Sequence, residues 1–155
     1  MQVSKYVAIS EVTSSDTAKR KGISNMPTPE HLENLKVTCE AVHTPVREHF
    51  AKPIFISSAY RSAALNKAIG GSLSSDHCNG RALDLDQDDR GTGVTNKMVF
   101  DFVKDNLEFD QLIWEFGTST NPDWVHVGYR KGANRKQILR AVRDAKGKTS
   151  YIPYK

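Results

Sequence analysis

Two segments that lie far apart in the chain carry the residue types and spacing of a metal-binding site. Residues 75–84 read Ser-Asp-His-Cys-Asn-Gly-Arg-Ala-Leu-Asp, which places His77 and Asp84 on either side of a glycine. His126 lies downstream in a β-branched and aromatic run that predicts a strand. Two imidazoles and one carboxylate are typical of catalytic zinc sites, which keep a fourth position open. We therefore predict that His77, Asp84 and His126 bind one zinc ion, and that the protein is a hydrolase.

Hydrolysis at such a site also needs a proton carrier and a group that binds negative charge. Asp123, three residues before His126, is the candidate base. A spacing of three places strand residues on opposite faces, so Asp123 must lie in the turn after Pro122 and bend back. In this scheme zinc acidifies its water, and Asp123 passes the proton to the leaving amine. Arg61 would bind a substrate carboxylate or the developing oxyanion through its planar fork of donors.

Each of these residues also has an ordinary structural interpretation. A single strand histidine such as His126 is more often packed or hydrogen-bonded than bound to metal, and Asp84 alone could cap a turn. Arg61 could be a surface ion-pair partner, and Asp123 after a proline is a common turn residue. The joint pattern, and no single residue, therefore favours the zinc site.

Length and composition restrict the class of protein. The 155 residues suit a single domain over residues 1–155, and no run of about eighteen apolar residues predicts a membrane span. The first dozen residues lack the apolar stretch of a secretory signal, so we expect synthesis in the cytoplasm. Cys39 and Cys78 are expected to stay reduced, and Cys78 to point away from His77 and not to act as a fourth ligand.

The net charge of +4 is concentrated at the C-terminal end. Residues 130–155 contain nine Lys or Arg and one acid, so the rest of the chain is net negative. Such a basic segment could attract nucleic acid, anionic lipid or an anionic cell-wall polymer, and charge alone cannot choose between them. A solvated helix face is the commonest explanation, and no nucleic-acid motif accompanies the charge.

Apolar spacing and capping residues predict an α+β domain whose central antiparallel sheet is flanked by helices. Thr28 and Pro29 predict a helix start, and Pro45 predicts either a kink or an early end of that helix. Leu83 and Leu85 are expected to point inward. The predicted helices cover residues 11–21, 29–50, 62–69, 94–107 and 134–146, and the predicted strands cover residues 53–57, 82–86, 109–116 and 124–130.

The combined motifs resemble those of a known family. They are Tyr60-Arg61, Ser75-x-His77-x-x-Gly80-x-Ala82-x-Asp84 and Trp124-x-His126, together with Ser15-x-Thr17-Ala18 and Gly22-Ile-x-Asn25-x-Pro27. This set is similar to the zinc D-Ala-D-Ala carboxypeptidases, which include the L-alanyl-D-glutamate endopeptidases of phage lysis enzymes. The resemblance covers most of residues 8–130 and leaves the basic C-terminal segment outside.

That resemblance implies a fold, a substrate and residue roles. The fold is the small α+β domain shared with the hedgehog signalling domain, and the substrate is the stem peptide of peptidoglycan. The implied zinc ligands are His77, Asp84 and His126, with Asp123 as the acid/base and Arg61 as the group that stabilises substrate or the tetrahedral intermediate. Further contacts to substrate or to the ligands are implied for Ser75, Tyr60, Gln111, Glu115 and Trp124. Glu115 is the alternative base, and its ordinary role would be to orient a zinc-bound histidine.

Two other functions remain open at this point. Fold and metal can persist after activity is lost, as the hedgehog branch illustrates, so an inactive metal-stabilised binding domain is the main alternative. Nonspecific nucleic-acid binding by the basic segment is the other. We expect a monomeric murein peptidase, similar to a phage or prophage endolysin, that meets the wall after release or as part of a virion.

Overall fold

The computed structural model of the protein describes residues 1–72 and 74–155. The helices are α1 (Ile9–Thr13), α2 (Asp16–Lys21), α3 (Pro29–Thr38), α4 (Thr44–Phe50), α5 (Ala63–Ala68) and α6 (Asn96–Asn106). The strands are β1 (Ile56–Ser58), β2 (Ala82–Leu85), β3 (Gln111–Glu115), β4 (Trp124–Gly128), β5 (Gln137–Arg143) and β6 (Thr149–Pro153). A π-helical turn, Cys39–His43, joins α3 to α4, and a 3-10 turn, Asp76–Asn79, precedes β2. Within the described ranges, no helix has both the length and the apolar character needed to cross a membrane.

The predicted helix towards Phe50 is present and contains an irregular turn before Pro45. Thr28 caps its start, since the Thr28 hydroxyl accepts a hydrogen bond from the backbone N–H of His31 at 3.2 Å. The ring of Pro45 cannot donate a hydrogen bond and clashes with the carbonyl four residues earlier in a regular α-helix. The wider π-helical turn occupies this region, and the chain continues as α4 to Phe50, so the helix does not end early at Pro45.

The single helix predicted over residues 11–21 is wrong, because the chain forms two short helices there. α1 ends at Thr13 and α2 begins at Asp16. Ser15 is extended, and its hydroxyl accepts a hydrogen bond from the N–H of Ala18 at 3.1 Å. A serine in this conformation caps a new helix in place of continuing the old one.

All six strands form one sheet in the order β1-β2-β4-β3-β5-β6. Pairing is antiparallel between β2 and β4 and between β4 and β3, which confirms the α+β class with an antiparallel centre. β5 pairs with β3 in parallel, so the complete sheet is mixed. The antiparallel hairpin of β5 and β6 extends the sheet on the far side of β3.

The two faces of the sheet differ because side chains alternate along each strand. Leu83 and Leu85 are fully buried on one face, as predicted. On that face Trp114 packs edge-on against Phe100 of α6, with ring centres 5.2 Å apart. The buried apolar residues of α6 are Val99, Phe100 and Val103, whereas Met98 is exposed. The other face of the sheet carries the polar side chains of Asp84, Glu115 and His126.

The basic helix predicted over residues 134–146 is wrong, because β5 occupies most of that range. Its apolar residues are Ile138, Leu139, Ala141 and Val142, and such adjacent pairs fit either a helix or a strand covered on both sides. The open edge of β3 decides between them, since parallel pairing with β5 satisfies its backbone groups. Long-range pairing therefore outweighs the local pattern.

Gly80 lets the chain turn sharply between the 3-10 turn and β2. Its φ is +74°, and a Cβ there would lie 2.5 Å from the backbone oxygen of His31. We expect Gly80→Ala to lower the free energy of unfolding by about 2–4 kcal/mol, through backbone strain and this contact. Gly91→Ala is the matched control, because Gly91 has a φ of +73° with no atom within 4 Å of its Cβ position. Its expected cost is about 1–2 kcal/mol. Equal losses in urea unfolding would contradict the steric part of this prediction.

Candidate metal centre

The polar face of the sheet brings Asp84 and His126 together. The two residues are direct partners in the antiparallel register of β2 and β4, and Ile113 of β3 is the partner of His126 on its other side. Directly opposed residues in an antiparallel pair project from the same face. The alternation that buries Leu83 and Leu85 therefore turns Asp84 towards His126.

The 3-10 turn places His77 beside Asp84, and the carbonyl of Ala59 orients the His77 ring. Ser75 precedes the turn, and its hydroxyl accepts a hydrogen bond from the N–H of His77 at 3.3 Å. The ring Nδ1 of His77 lies 2.6 Å from the carbonyl oxygen of Ala59. Because a carbonyl can only accept, Nδ1 carries a proton, and Nε2 is the ring nitrogen that faces Asp84. A partner of this kind is what orients a metal-binding histidine.

Donor atoms of the three side chains converge. One ligand atom from each of His77, Asp84 and His126 lies within 4.8 Å of the other two. His77 Nε2 is 3.3 Å from Asp84 Oδ1, and His126 Nδ1 is 3.0 Å from the same oxygen. Zinc bonds of about 2.0–2.1 Å in a tetrahedron separate ligand atoms by about 3.3–3.4 Å. The donor set and its spacing therefore fit zinc.

The carboxyl of Asp84 is held in its ionised form. Burial by itself raises the pKa of Asp84, but the charges of His77 and His126 and the hydrogen bonds from both rings outweigh it. The net result is a pKa well below the usual range for aspartate. A carboxylate that stays charged while facing two imidazoles is ready to bind a cation.

A second carboxyl, Glu115, lies on the same face near the cluster. Glu115 is the register partner of Trp124, which is two residues before His126 on β4. Burial raises the pKa of Glu115 to about 7, while the charge of His126 lowers it and that of Asp84 raises it. The indole N–H of Trp124 has no well-formed hydrogen bond but still lowers this pKa. Glu115 therefore exchanges a proton near neutral pH.

This shift predicts a pH-dependent stability of the metal-free protein. Below the ordinary glutamate pKa of 4.5, Glu115 is protonated in both the folded and the unfolded state. As pH rises towards 7, the unfolded state ionises first, so the folded state loses stability. We expect Glu115→Gln to remove this loss and to be more stable than wild type by about 1–3 kcal/mol at pH 8. Urea unfolding at pH 5 and pH 8 tests this, and an equal pH dependence of the two proteins would refute it.

Asp123 lies in the bend immediately before β4, where the turn after Pro122 predicted it. Its backbone N–H donates to the carbonyl of Glu115 at 2.9 Å, and its own carbonyl accepts from Asn96 Nδ2 at 3.0 Å. The residue is exposed to solvent. Its backbone is therefore fixed at the entry to the strand of His126, and its carboxylate is accessible.

Fully buried Asn96 holds this bend and was not among the residues predicted from the sequence. Its side-chain amide also donates to the carbonyl of Pro122 at 3.2 Å and to Asp86 Oδ1 at 3.0 Å, and its oxygen accepts from the N–H of Gln87 at 2.7 Å. In the sequence, Asn96 after Thr95 is indistinguishable from an ordinary helix start. Its role depends on partners up to 27 residues away.

Arg61 is joined to the turn that carries His77. The backbone N–H of Arg61 donates to the carbonyl of His77 at 3.2 Å, and its Nη1 donates to Asn66 Oδ1 at 3.3 Å. Its Nε is buried and has no partner among the described residues. Arg61 therefore keeps hydrogen-bonding capacity beside the cluster.

Arg61 also borders a cavity next to the metal centre. This cavity, of about 340 Å³, is lined in part by Ser57, Ser58 and Tyr60. Ser58 is the register partner of Asp84, which places the cavity beside the cluster. Tyr60 is buried, and its hydroxyl lies 3.1 Å from His31 Nδ1. Tyr60 thus supports the wall of the cavity.

Gln111, predicted as a contact to substrate or to the ligands, lies apart from the cluster. Gln111 is the partner of Gly128 at the other end of β3 and β4, and its amide donates to Gln137 Oε1 at 2.9 Å. Among the described residues, the group that could hold a metal ion does not include Cys78.

An ion-pair network that was not predicted joins the turn of His77 to the C-terminal segment. Arg130 contacts Asp76, the neighbour of His77, and also Asp110 through Nε at 3.2 Å. Asp110 is fully buried and pairs with Arg135 as well, at 2.9 Å. Part of the basic segment is therefore used inside the fold and is not simply solvated.

Comparison with known proteins agrees with this geometry. The family described as Peptidase M15 matches residues 5–128, which include all three candidate ligands and end before the C-terminal hairpin. No curated protein matches the chain. Peptidase M15 proteins depend on zinc, the metal that fits the donor set of His77, Asp84 and His126. The chain belongs to the Peptidase M15 family of zinc peptidases, which act on peptidoglycan-type substrates.

Proposed function

We propose that the protein cleaves a peptide bond next to a D-amino acid in the stem peptide of peptidoglycan. The reaction is removal of the terminal residue from D-Ala-D-Ala or cleavage between L-Ala and D-Glu. The observation that carries this proposal is the convergence of His77, Asp84 and His126 on one face of the sheet, within the range matched by the peptidase family.

The three residues would hold one zinc ion through His77 Nε2, Asp84 Oδ1 and His126 Nδ1. When bound, zinc lowers the pKa of water and polarises a carbonyl group. The carbonyl of Ala59 holds a proton of His77 on Nδ1, so Nε2 is the nitrogen that would bind the metal after losing any proton of its own. Three protein ligands leave room for the reacting groups.

We assign proton transfer to Asp123. Its backbone is fixed by Glu115 and Asn96, while its carboxylate stays accessible at the entry to β4. A carboxylate there takes a proton from the attacking water and delivers it to the nitrogen of the leaving amine. Glu115 is the alternative, because its pKa of about 7 suits proton exchange near neutral pH.

Arg61 would bind a substrate carboxylate or the oxyanion that develops on the scissile carbonyl. Its anchored backbone supports this role, as does its Nε, which has no partner among the residues that the structure describes. A planar guanidinium presents several donors to an oxyanion at once. Tyr60 and Ser75 would support the site by packing and by capping the turn of His77, and Trp124 would contact the substrate beside Glu115.

Mass spectrometry of defined muropeptides, incubated with zinc-loaded protein or with His126→Ala, tests the proposal. Loss of the terminal D-alanine alone would identify a carboxypeptidase, and separation of L-Ala from D-Glu would identify an endopeptidase. If neither product forms while zinc is bound, the proposal is overturned and the protein is better described as an inactive binding domain.

The setting proposed for this activity follows the resemblance to phage and prophage endolysins. On this proposal, the enzyme reaches the wall after release from the cell, or as a component of a virion, and acts as a monomer. Incubation of purified cell walls with the protein, followed by release of soluble peptides, would show whether intact wall is a substrate.

A further inference from the structure

The C-terminal hairpin lies beyond the matched family range and adds two strands to the sheet beside β3. The family match ends at residue 128, whereas the hairpin comprises β5 and β6. In the parallel register, Glu115 is paired with Ala141, and Ala141 is paired with Tyr151 on β6. These residues therefore share the face that carries the metal centre.

Tyr151 is the last of a row of register partners that crosses the sheet and begins at Trp124, two residues before His126. The row runs from Trp124 through Glu115 and Ala141 to Tyr151. Ala141 is small and fully buried, whereas Tyr151 is 56% exposed. Burial raises the pKa of the Tyr151 hydroxyl, and the charges of Glu115 and Asp84 raise it further. Tyr151 therefore presents an exposed side chain on the sheet face that carries the metal centre.

Arg143 reaches the same region through a stack of side chains. Phe116 has a left-handed φ of 54°, so its ring departs from strand alternation and lies 5.6 Å from the ring of Trp124. The guanidinium carbon of Arg143 lies 4.0 Å from the centre of the Phe116 ring. Phe116 and Arg143 also line a cavity of about 340 Å³ at this end of the sheet. The contacts thus form a continuous wall from Trp124 to Arg143.

The charge of Arg143 is available to a ligand. Within residues 1–72 and 74–155, the residues of the basic segment that form salt bridges are Arg130, Arg135 and Lys136. Arg143 forms none within this part of the chain. On the opposite face, Arg140 packs over Trp114, with 4.8 Å from its guanidinium carbon to the ring centre. An aromatic ring beneath a guanidinium leaves its N–H groups free to bind a carboxylate in the plane.

We propose that the C-terminal hairpin completes the substrate cleft, with Arg143 binding a carboxylate of the stem peptide and Tyr151 donating a hydrogen bond to the same segment. The proposal rests on the proposed function, because it takes the stem peptide as the ligand. The carboxylate belongs either to the D-Glu residue or to the C-terminus of the peptide. Both have the charge and planar shape that the guanidinium recognises.

Chemical-shift titration of the full chain, without added zinc, tests this inference independently of cleavage. The probes are the stem peptide L-Ala-γ-D-Glu-L-Lys-D-Ala and two versions amidated at the D-Glu carboxylate or at the C-terminus. We expect Arg143→Gln to weaken binding of the free peptide about 10-fold or more. One amidated version should bind wild type and Arg143→Gln equally, which identifies the carboxylate that Arg143 contacts.

Two further variants separate this contact from general charge and from folding. Lys146→Gln makes the same change of charge in the turn of the hairpin and should bind like wild type. Tyr151→Phe removes only the hydroxyl and should weaken binding about 2–10-fold, with the amide spectrum otherwise unchanged.

Three results would overturn the inference. Wild type and Arg143→Gln could bind the peptide equally well, Lys146→Gln could lose as much affinity as Arg143→Gln, or wild type could fail to bind. Cleavage by zinc-loaded protein is scored separately. If the peptide binds through Arg143 but is not cleaved, the proposed function is refuted and the binding role of Arg143 still holds. If the peptide is cleaved with equal KM values by Arg143→Gln and wild type, the binding role of Arg143 is refuted and the proposed peptidase function still holds.

Discussion

Asp84→Asn is expected to abolish zinc binding and peptide hydrolysis together. Asp84 Oδ1 lies 3.3 Å from His77 Nε2 and 3.0 Å from His126 Nδ1, and it supplies the only negative charge of the three donors. The amide keeps the shape of the side chain but removes that charge. Mutation of a residue that only hydrogen-bonds to a metal ligand typically lowers metal affinity by about 10–100-fold. Loss of the charge of a ligand itself should therefore lower zinc affinity by more than about 100-fold.

Zinc content after dialysis and the hydrolysis rate measure this effect. Asp105→Asn is the matched control, because it makes the same chemical change at an exposed residue of α6. It should retain both zinc and activity. An Asp84→Asn protein that keeps stoichiometric zinc and its activity would show that the three residues do not form the metal site.

Asp123→Asn is expected to lower the rate of hydrolysis by about 10²–10⁴-fold while zinc remains bound. The amide cannot accept a proton from water, whereas the backbone bonds of residue 123 to Glu115 and Asn96 do not involve the side chain. The defect should therefore appear in kcat, with little change in zinc affinity. Steady-state kinetics and metal analysis on one preparation measure both.

Glu115→Gln is the comparison that assigns the base. With Asp123 as proton carrier, Glu115→Gln should lower the rate much less than Asp123→Asn does. If instead Asp123→Asn is fully active and Glu115→Gln is not, proton transfer belongs to Glu115. The pH profile of kcat would then be expected to change in the Glu115 variant.

The candidate site could be predicted from the sequence because its geometry follows from local rules. Alternation in a short strand buries Leu83 and Leu85, which turns Asp84 to the other face. The strand around His126 alternates in the same way, with Val125 and Val127 buried, and antiparallel pairing then brings His126 beside Asp84. Residue type and strand period were sufficient at these positions.

Features that depend on distant partners could not be predicted in this way. Residues 137–143 carry a pattern that suits a helix or a strand, and only the free edge of β3 selects the strand. The carbonyl of Ala59, which fixes the ring of His77, carries no side-chain signal at all. Asn96 has the local pattern of a helix start, although its amide holds the bend of Asp123.

Zinc titration of the metal-free protein, with muropeptide hydrolysis followed at each addition, tests the central claim most directly. Hydrolysis should be absent without metal, rise linearly with zinc and level off at one equivalent, and remain absent in His126→Ala. Hydrolysis by the metal-free protein, or zinc-dependent hydrolysis by His126→Ala, would contradict the assignment of His77, Asp84 and His126 as the catalytic metal centre.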